Sequence, residues 1–477
     1  IAHYNGLTEV SHISEVQILA RNEAVPEPLL LTCSDVENTF AADYSEANEG
    51  RLIRINNVQV VSGNGPVYTI KDDSGQTLLY IDGDTNLKAP NGAFSIIGIL
   101  KQYDNSSPFT SGYEIVPRFA SDIILGDGPE FIKQPREVEI STHSVTFEWQ
   151  TKAAASATFY VAEREQEVPP AEIVLANEKL RHKFTLNDLR PATIYRAFVD
   201  AADSAGRRQS RTFFFSTASA ESSGDIQVYF SKNVDNSVKW LEAAKSERDL
   251  SRIMIERINN AQYTIDAALY NLTHDKIFQA LFLAHSRGVR VRFIHEAEYA
   301  NDNVTWLRDA GVPVISDTYG NNDGDGFMHD KFLIIDARDA TTGADDWVVT
   351  GSANATYYGT LNNAENLVVI NDQSLAAVYT LEFNEMWGSE TDTPNASNSR
   401  FGDRKIDDTP HHFNIGGIWV EQYMSPSDDT ENRIIDALNS ANHGLFFCIF
   451  SFTSDGIENA MKELYLRNQN FLLRGVF

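Results

Sequence analysis

At 477 residues the chain exceeds what one hydrophobic core organises, so roughly two to four domains are expected. With 42% apolar and 22% charged residues it has the make-up of an ordinary soluble protein, and no apolar run approaches the roughly 18 residues that a membrane-spanning helix needs. A net charge of −28 argues against a surface that grips nucleic acid by neutralising many phosphates, although a cleft can still carry local positive potential.

The chain starts on Ile1 rather than Met, which points to a removed upstream segment and to an exported protein: secreted, periplasmic or at the cell surface. Its two cysteines, Cys33 and Cys448, fall in different predicted domains, so no disulfide framework is expected.

Over residues 1–125 short β-rich runs alternate with turn signals: Arg51 to Val61, Val67 to Ile70, Thr77 to Ile81, Phe94 to Gln102 and Tyr113 to Val116. Five strands at this spacing predict a small closed barrel. The run EGRLIRINNVQV from Glu49 to Val60, the turn Asp72-Asp73-Ser74-Gly75 and the later GYEIVPR resemble the OB-fold modules that accompany secreted nucleases. Residues 127–218 are β again, with strand-like alternation in Val145-Thr146-Phe147-Glu148-Trp149 and the run Leu189-Arg190-Pro191-Ala192-Thr193-Ile194-Tyr195 further on. This region resembles a fibronectin type III domain. The resemblance makes Trp149 a core residue and the Leu189 to Tyr195 run a tyrosine corner, both structural. The polar run Thr217 to Gly224 is expected to be a flexible linker.

From Asp225 strands alternate with amphipathic helices: the strand IQVYF, a helix over Leu250 to Asn260, a strand over Thr264 to Tyr270, a helix over Asp275 to Arg287 and a strand over Val289 to Ile294. The order implies βαβ units in a doubly wound, mostly parallel sheet. It then recurs. Ile255, Ile258, Ala261, Ile265, Tyr270, Thr273, Asp275, Ile277 and Ala280 match Ile435, Leu438, Ala441, Leu445, Phe450, Thr453, Asp455, Ile457 and Ala460 at a constant offset of about 180 residues. Residues 225–400 therefore read as one repeat and 413–477 as the start of a second, which breaks off before the counterpart of His329 is reached.

The first repeat carries the chemistry. Its run MHDKFLIID holds His329, Lys331 and Asp336, followed by Gly351-Ser352-Ala353-Asn354 and Asn363-Ala364-Glu365-Asn366. Residues two apart on a strand face the same way, so His329 and Lys331 share a face, whereas Asp336 has the opposite parity and is placed to brace neighbouring groups. Ser352 and Asn354, just past the strand Trp347 to Thr350, fall at the carboxyl edge where open α/β sheets bind ligands, and can offer hydrogen bonds to phosphate oxygens.

These residues resemble those of the phospholipase D superfamily, which cleaves phosphodiesters of lipids or nucleic acids through a phosphohistidine without a catalytic metal. The resemblance covers roughly residues 225–477. It implies His329 as nucleophile, Lys331 as phosphate clamp, Asp336 as orienter, Ser352 and Asn354 as phosphate contacts, and Glu365 as the partner of a catalytic histidine. No cofactor and no metal are implied. The family's chemistry also needs a second histidine as acid and base, expected from a C-terminal continuation or from the mate in a homodimer.

Two features depart from the family pattern: that second histidine, and a longer interval from Asp336 to Gly351 whose filling (ARDATTGADD) suggests an extended hairpin able to alter access. Among weaker signals, His295 and Glu296 end a predicted parallel strand, where they could line the same cleft although a structural role is favoured, His411 and His412 sit in the segment joining the repeats, and Asn321, Asp323, Asp325 and Gly326 imitate a calcium loop. That loop is rejected because its twelfth position is Phe332 rather than Glu.

The expected fold class is thus multidomain: an all-β OB-like barrel and an all-β fibronectin III-like sandwich, then α/β phospholipase D-like repeats with a mostly parallel sheet. The expected function is a nuclease acting on DNA or RNA. A phospholipase D acting on phospholipid headgroups is the alternative enzyme. A binding or adhesion protein with a vestigial half site is the reading from another class.

Overall fold

The computed structural model describes residues 2–4, 7–9, 27–40, 46–63, 66–82, 85, 87–90, 93–126, 128–166, 171–204, 206–237, 243–324, 326–339, 341–467 and 470–476. Two compact units partition the chain: Ile1–Val138 with Thr146–Thr185 and Tyr195–Phe213, and Glu139–Val145 with Leu186–Ile194 and Phe214–Phe477.

In the first unit, strands β1 (Leu52–Ser62), β2 (Val67–Lys71), β3 (Gln76–Tyr80), β4 (Phe94–Gln102) and β5 (Tyr113–Val116) lie within a residue or so of the sequence expectation. Their pairing closes on itself in the order β1-β2-β3-β5-β4-β1, with β3 and β5 parallel and the other neighbours antiparallel. Closure removes both free edges. Alternate residues fill the interior, among them Ile53, Ile55, Ile70, Leu79, Phe94 and Ile115, all buried. Further strands follow: β6 (Phe131–Ile140), β7 (Val145–Glu163), β8 (Ala171–Leu186), β9 (Ile194–Ala202), β10 (Arg207–Gln209) and β11 (Phe213–Ser216). Strand β7 pairs antiparallel with β9, and β9 with β10. Trp149 and Tyr195 are buried, and the Trp149 indole stacks on His182.

The second unit is built on an eight-stranded sheet. Its strands are β12 (Ile226–Phe230), β13 (Lys245–Ser246), β14 (Thr264–Leu269), β15 (Arg290–His295), β16 (Val314–Ser316), β17 (Lys331–Ile335), β18 (Trp347–Gly351) and β19 (Asn366–Asn371), in the order β13-β12-β19-β18-β17-β14-β15-β16. Helices α1 (Ser251–Asn260), α2 (Asp275–Ser286), α3 (Asp302–Asp309) and α4 (Gln373–Trp387) accompany them. One face buries Met254, Ile265, Leu281, Leu333 and Val349; the other buries Ile294, Phe332, Ile334, Val348, Phe383 and Trp387. Covered on both faces, β14 is buried along its whole length and β17 from Phe332 to Ile335, the latter a continuous apolar run.

The sheet is mixed, which corrects the doubly wound, mostly parallel expectation. Strands β14, β15 and β16 run parallel, but β17 enters antiparallel to β14, and β18, β19 and β12 continue the alternation. A parallel neighbour needs a crossover, usually a helix, to return the chain to the starting edge. Between β16 and β17 the described residues form only turns and loop, so β17 starts at the carboxyl ends of β14 and β15 and runs back. The polar stretch after Asp336 does join a β17–β18 hairpin, but Ile335 pairs with Trp347 while Phe332 pairs with Thr350. Its tip therefore lies at the end of the sheet away from His329, and the expected influence on access is withdrawn.

The expected flexible linker is also corrected. Ser223 donates from both its amide and its hydroxyl to Asn371 Oδ1 (both 2.7 Å), Ser222 Oγ donates to the Gly343 carbonyl, Glu221 accepts from the Gly343 amide, and Ser374 Oγ donates to the Thr217 carbonyl. Short hydroxyl side chains that suit a disordered run also suit tight local bonding, and composition does not separate the two.

After β20 (His412–Ile415) and β21 (Ile418–Glu421) come α5 (Thr430–Asn439), β22 (Gly444–Cys448), α6 (Asp455–Arg467) and β23 (Leu472–Val476), with β22 and β23 parallel. This helix–strand–helix–strand order repeats α1-β14-α2-β15. Among the described residues no helix is long and apolar enough to cross a membrane.

Candidate active site

The alternation of strand directions brings the ends of five strands, β14, β17, β18, β19 and β12, to one edge of the sheet. Leu269 pairs with Lys331, Phe332 with Thr350, Gly351 with Leu367 and Phe230 with Asn366. The start of β17 thus sits among the carboxyl ends of β14 and β18 and the amino end of β19. Beyond the last paired residues, the Tyr270 amide still donates to the Asp330 carbonyl (2.8 Å), which holds the His329–Lys331 backbone against β14. At the end of β18 a glycine is required: Gly351 has φ +147°, and a Cβ there would meet the Asn366 carbonyl oxygen at 2.5 Å.

His329 is exposed, and its imidazole stands edge-on to the Tyr270 ring, with centroids 4.5 Å apart. Lys331, half-buried, turns its ammonium back to donate to the His329 carbonyl oxygen at 2.7 Å and lies 4.9 Å over the Tyr270 ring. Burial pulls the Lys331 ammonium down to about 8, against the upward pull of the Asp330 and Glu365 carboxylates. Partial desolvation against the surrounding side chains, aided by the nearby Lys331 charge, also holds the His329 imidazole below its ordinary value. At neutral pH the pair is a neutral imidazole beside a cation, suited to attack on an electrophilic phosphorus whose oxygens the cation draws in.

Ser352 is exposed, and its hydroxyl oxygen accepts from the Asn366 amide (3.0 Å) and from Asn366 Nδ2 (3.1 Å). Asn354 leaves its Oδ1 buried without a partner. Glu365 does not pair with His329: it accepts from Asn363 Nδ2 (3.2 Å), and its charge acts on Lys331.

Asp336 stands apart from these residues, at the far end of β17, and does not orient His329. Its carboxylate, 1% exposed, accepts the backbone amides of Gln262, Tyr263 and Thr264 at 2.7 to 3.1 Å. It locks β17 to the turn that leads from α1 into β14, and so acts on the site only through the strand.

Two residues at the site are not given their part in it by the sequence: Glu296, for which a structural role is favoured over lining the cleft, and Tyr270. Glu296, 1% exposed, accepts the Met328 amide at Oε2 (2.8 Å) and the Glu298 amide at Oε1 (3.2 Å), which fixes the backbone immediately before His329. Tyr270 lies against both members of the pair. A carboxylate ending an apolar strand is the signal for the first; the second gives none beyond its position at a strand end. His295 is buried, with Nδ1 on the Glu296 carbonyl and Nε2 unpartnered. His411 is held structurally by Asp407 and the Gln422 carbonyl. In the calcium-like loop Asp325 lies outside the described residues. Among the described residues no group of three or more His, Cys, Asp or Glu is arranged to hold a metal.

Residues 254–387 match the family described as "Cardiolipin synthase, PLD-like domain". The mitochondrial cardiolipin hydrolase of Xenopus tropicalis is 32% identical over 130 residues, covering 27% of this chain and 56% of that protein. Those of Mus musculus and Homo sapiens are 32% identical over 146 residues and 31% over 144, covering 59% and 52% of those proteins. The chain thus spans a little over half the length of these relatives. Among solved structures, the phospholipase D family member Nuc from Salmonella typhimurium is 24% identical, covering 34% of this chain and 93% of that one, with a TM-score of 0.27. NucT from Helicobacter pylori is 26% identical, covering 28% and 86%, with a TM-score of 0.24.

Proposed function

We propose that the chain, whose residues 254–387 match a phospholipase D-like domain, is an exported nuclease which hydrolyses nucleic-acid phosphodiesters by double displacement at His329. The observation that carries the reading is the neutral imidazole of His329 beside the half-buried ammonium of Lys331 at one sheet edge. In the first step an imidazole nitrogen forms a bond to phosphorus as the bond to the leaving oxygen breaks. Lys331, with the Ser352 hydroxyl and the Asn354 amide, holds the non-bridging oxygens. In the second step water displaces the histidine. The leaving oxygen needs a proton and the water needs a base; we assign both roles to a second histidine, from a partner copy of the chain or from further sequence.

Nucleic acid is preferred to lipid because of the barrel. Its strand order, with one parallel pair closing an otherwise antiparallel ring, supports the OB-like reading of this region, and OB barrels bind oligonucleotides. The fibronectin-like strands then serve as a spacer. The relatives named cardiolipin hydrolase favour a second reading, hydrolysis of a phospholipid headgroup linkage.

The two readings separate when the protein is incubated, in excess chelator, with plasmid, with a single-stranded oligonucleotide, and with vesicles of phosphatidylcholine or cardiolipin. The nuclease reading expects chain cleavage that His329→Ala abolishes. Headgroup or phosphatidate release with both nucleic acids intact would reverse the substrate assignment.

A further inference from the structure

Three aromatic rings run outward from the catalytic pair. Tyr270 touches His329 and Lys331, as described, and packs against Tyr299 (centroids 4.6 Å apart) and Phe327 (5.9 Å). Tyr270 is half-buried, Tyr299 is 38% exposed and Phe327 61% exposed. Single exposed aromatics need no explanation. A contiguous row that starts on the reacting imidazole and ends in solvent is different, because it offers ring faces and edges to whatever flanks the scissile bond.

The charges around the row decide what that is. Glu296 and Glu298 act on Tyr270, and Asp330 and Glu365 act on Lys331. One ammonium among four carboxylates can hold the phosphate being cleaved but repels the phosphates next to it. A polyanionic strand bound here must draw its affinity from uncharged contacts, and stacking of bases on aromatic rings is the contact a nucleic acid has to give.

We infer that Tyr299 and Phe327 form a base-stacking subsite for the nucleotide adjoining the scissile phosphate, and that this subsite selects single strands. The inference rests on the nucleic-acid reading above. In a duplex both faces of each base are already stacked on neighbours, so the subsite has nothing to accept. An unpaired strand can turn a base onto Phe327 without unstacking cost.

The test uses the full chain and two single-stranded oligonucleotides of equal length, one with all its bases and one abasic on both sides of the cleaved linkage. The wild type is expected to prefer the base-bearing strand by about tenfold in kcat/KM, the scale of one base–aromatic stack. Phe327→Ala should remove that preference through KM, Tyr299→Ala should reduce it, and Phe327→Trp should restore it. Cleavage should also fall only shallowly with salt, with a log–log slope near −0.7 for about one neutralised phosphate.

Equal cleavage of both strands by the wild type, or a preference that survives Phe327→Ala, overturns the subsite and leaves the nuclease standing. A Phe327→Ala variant that keeps the preference but loses adhesion to cardiolipin vesicles also overturns it, since the ring would then belong to a lipid interface. Cleavage of neither oligonucleotide removes the nuclease reading and the subsite together.

Discussion

The ammonium of Lys331 donates to the carbonyl oxygen of His329 at 2.7 Å, so the proposed clamp is anchored on the backbone of the proposed nucleophile. The bond occupies one of three ammonium protons and leaves the others for phosphate oxygens. It also couples the position of the cation to that of the imidazole.

The first prediction concerns pH. Attack needs His329 neutral and clamping needs Lys331 charged. kcat/KM should therefore rise as His329 loses its proton, below the ordinary histidine value of about 6.5, and fall through about 8 as Lys331 loses its own. Lys331→Arg should push the alkaline limb beyond pH 10, because a guanidinium stays charged. An alkaline limb that does not move would mean that another group sets it. The stability linkage runs the other way. The folded pKa of Lys331 is depressed below its unfolded value of about 10.4, so its charge opposes folding below pH 8. Stability should gain from this residue between about pH 8 and pH 10.4, where the unfolded chain holds a proton that the folded chain does not.

Glu296 should act on turnover rather than on affinity. Glu296→Ala frees the Met328 amide and lets the His329 backbone drift, with an expected loss of roughly tenfold in kcat and little change in KM, since a small misplacement of a reacting group is costly. Glu296→Gln keeps one acceptor oxygen and should recover part of the loss. Steady-state kinetics with matched circular dichroism spectra separate this outcome from unfolding.

Asp336 is a stability residue. Removing its carboxylate in Asp336→Ala leaves the amides of Gln262, Tyr263 and Thr264 without their acceptor, at a cost of about 3 kcal/mol or more in urea unfolding. Any fraction that stays folded should retain the wild-type pH profile; a shifted profile would show that Asp336 does reach the catalytic pair.

A fourth prediction tests the sheet interior. Asp266 binds Arg292 through two bonds of 2.7 Å and also binds Arg338, and Arg292 is fully buried against Phe383. Asp266→Asn leaves a buried guanidinium uncompensated and should cost about 3–5 kcal/mol. A double replacement of Asp266 and Arg292 by apolar residues of similar volume should cost less than the single one, which a double-mutant cycle would detect.

Local signals were legible in the sequence and pairing partners were not. The barrel strands and the strands and helices around residues 250–295 declare themselves by period and turn residues, and the His329–Lys331 spacing by its motif. The direction of β17 depends on the route of the loop before it, which no period records. The linker at Thr217 to Gly224 reads as disordered by composition, yet its hydroxyls find Asn371 and Gly343 far along the chain. Asp336 sits in the motif and looks catalytic for that reason, while Glu296 and Tyr270 sit outside it and reach the site only through tertiary contacts.

The most direct test of a covalent role for His329 is to quench the enzyme during turnover of an oligonucleotide labelled at its cleaved phosphate, then map the labelled peptide. An acid-labile phosphoramidate is expected on the peptide that contains His329, lost in His329→Ala together with cleavage. Label on another residue, or a His329→Ala enzyme that still turns over at the wild-type rate, would contradict it.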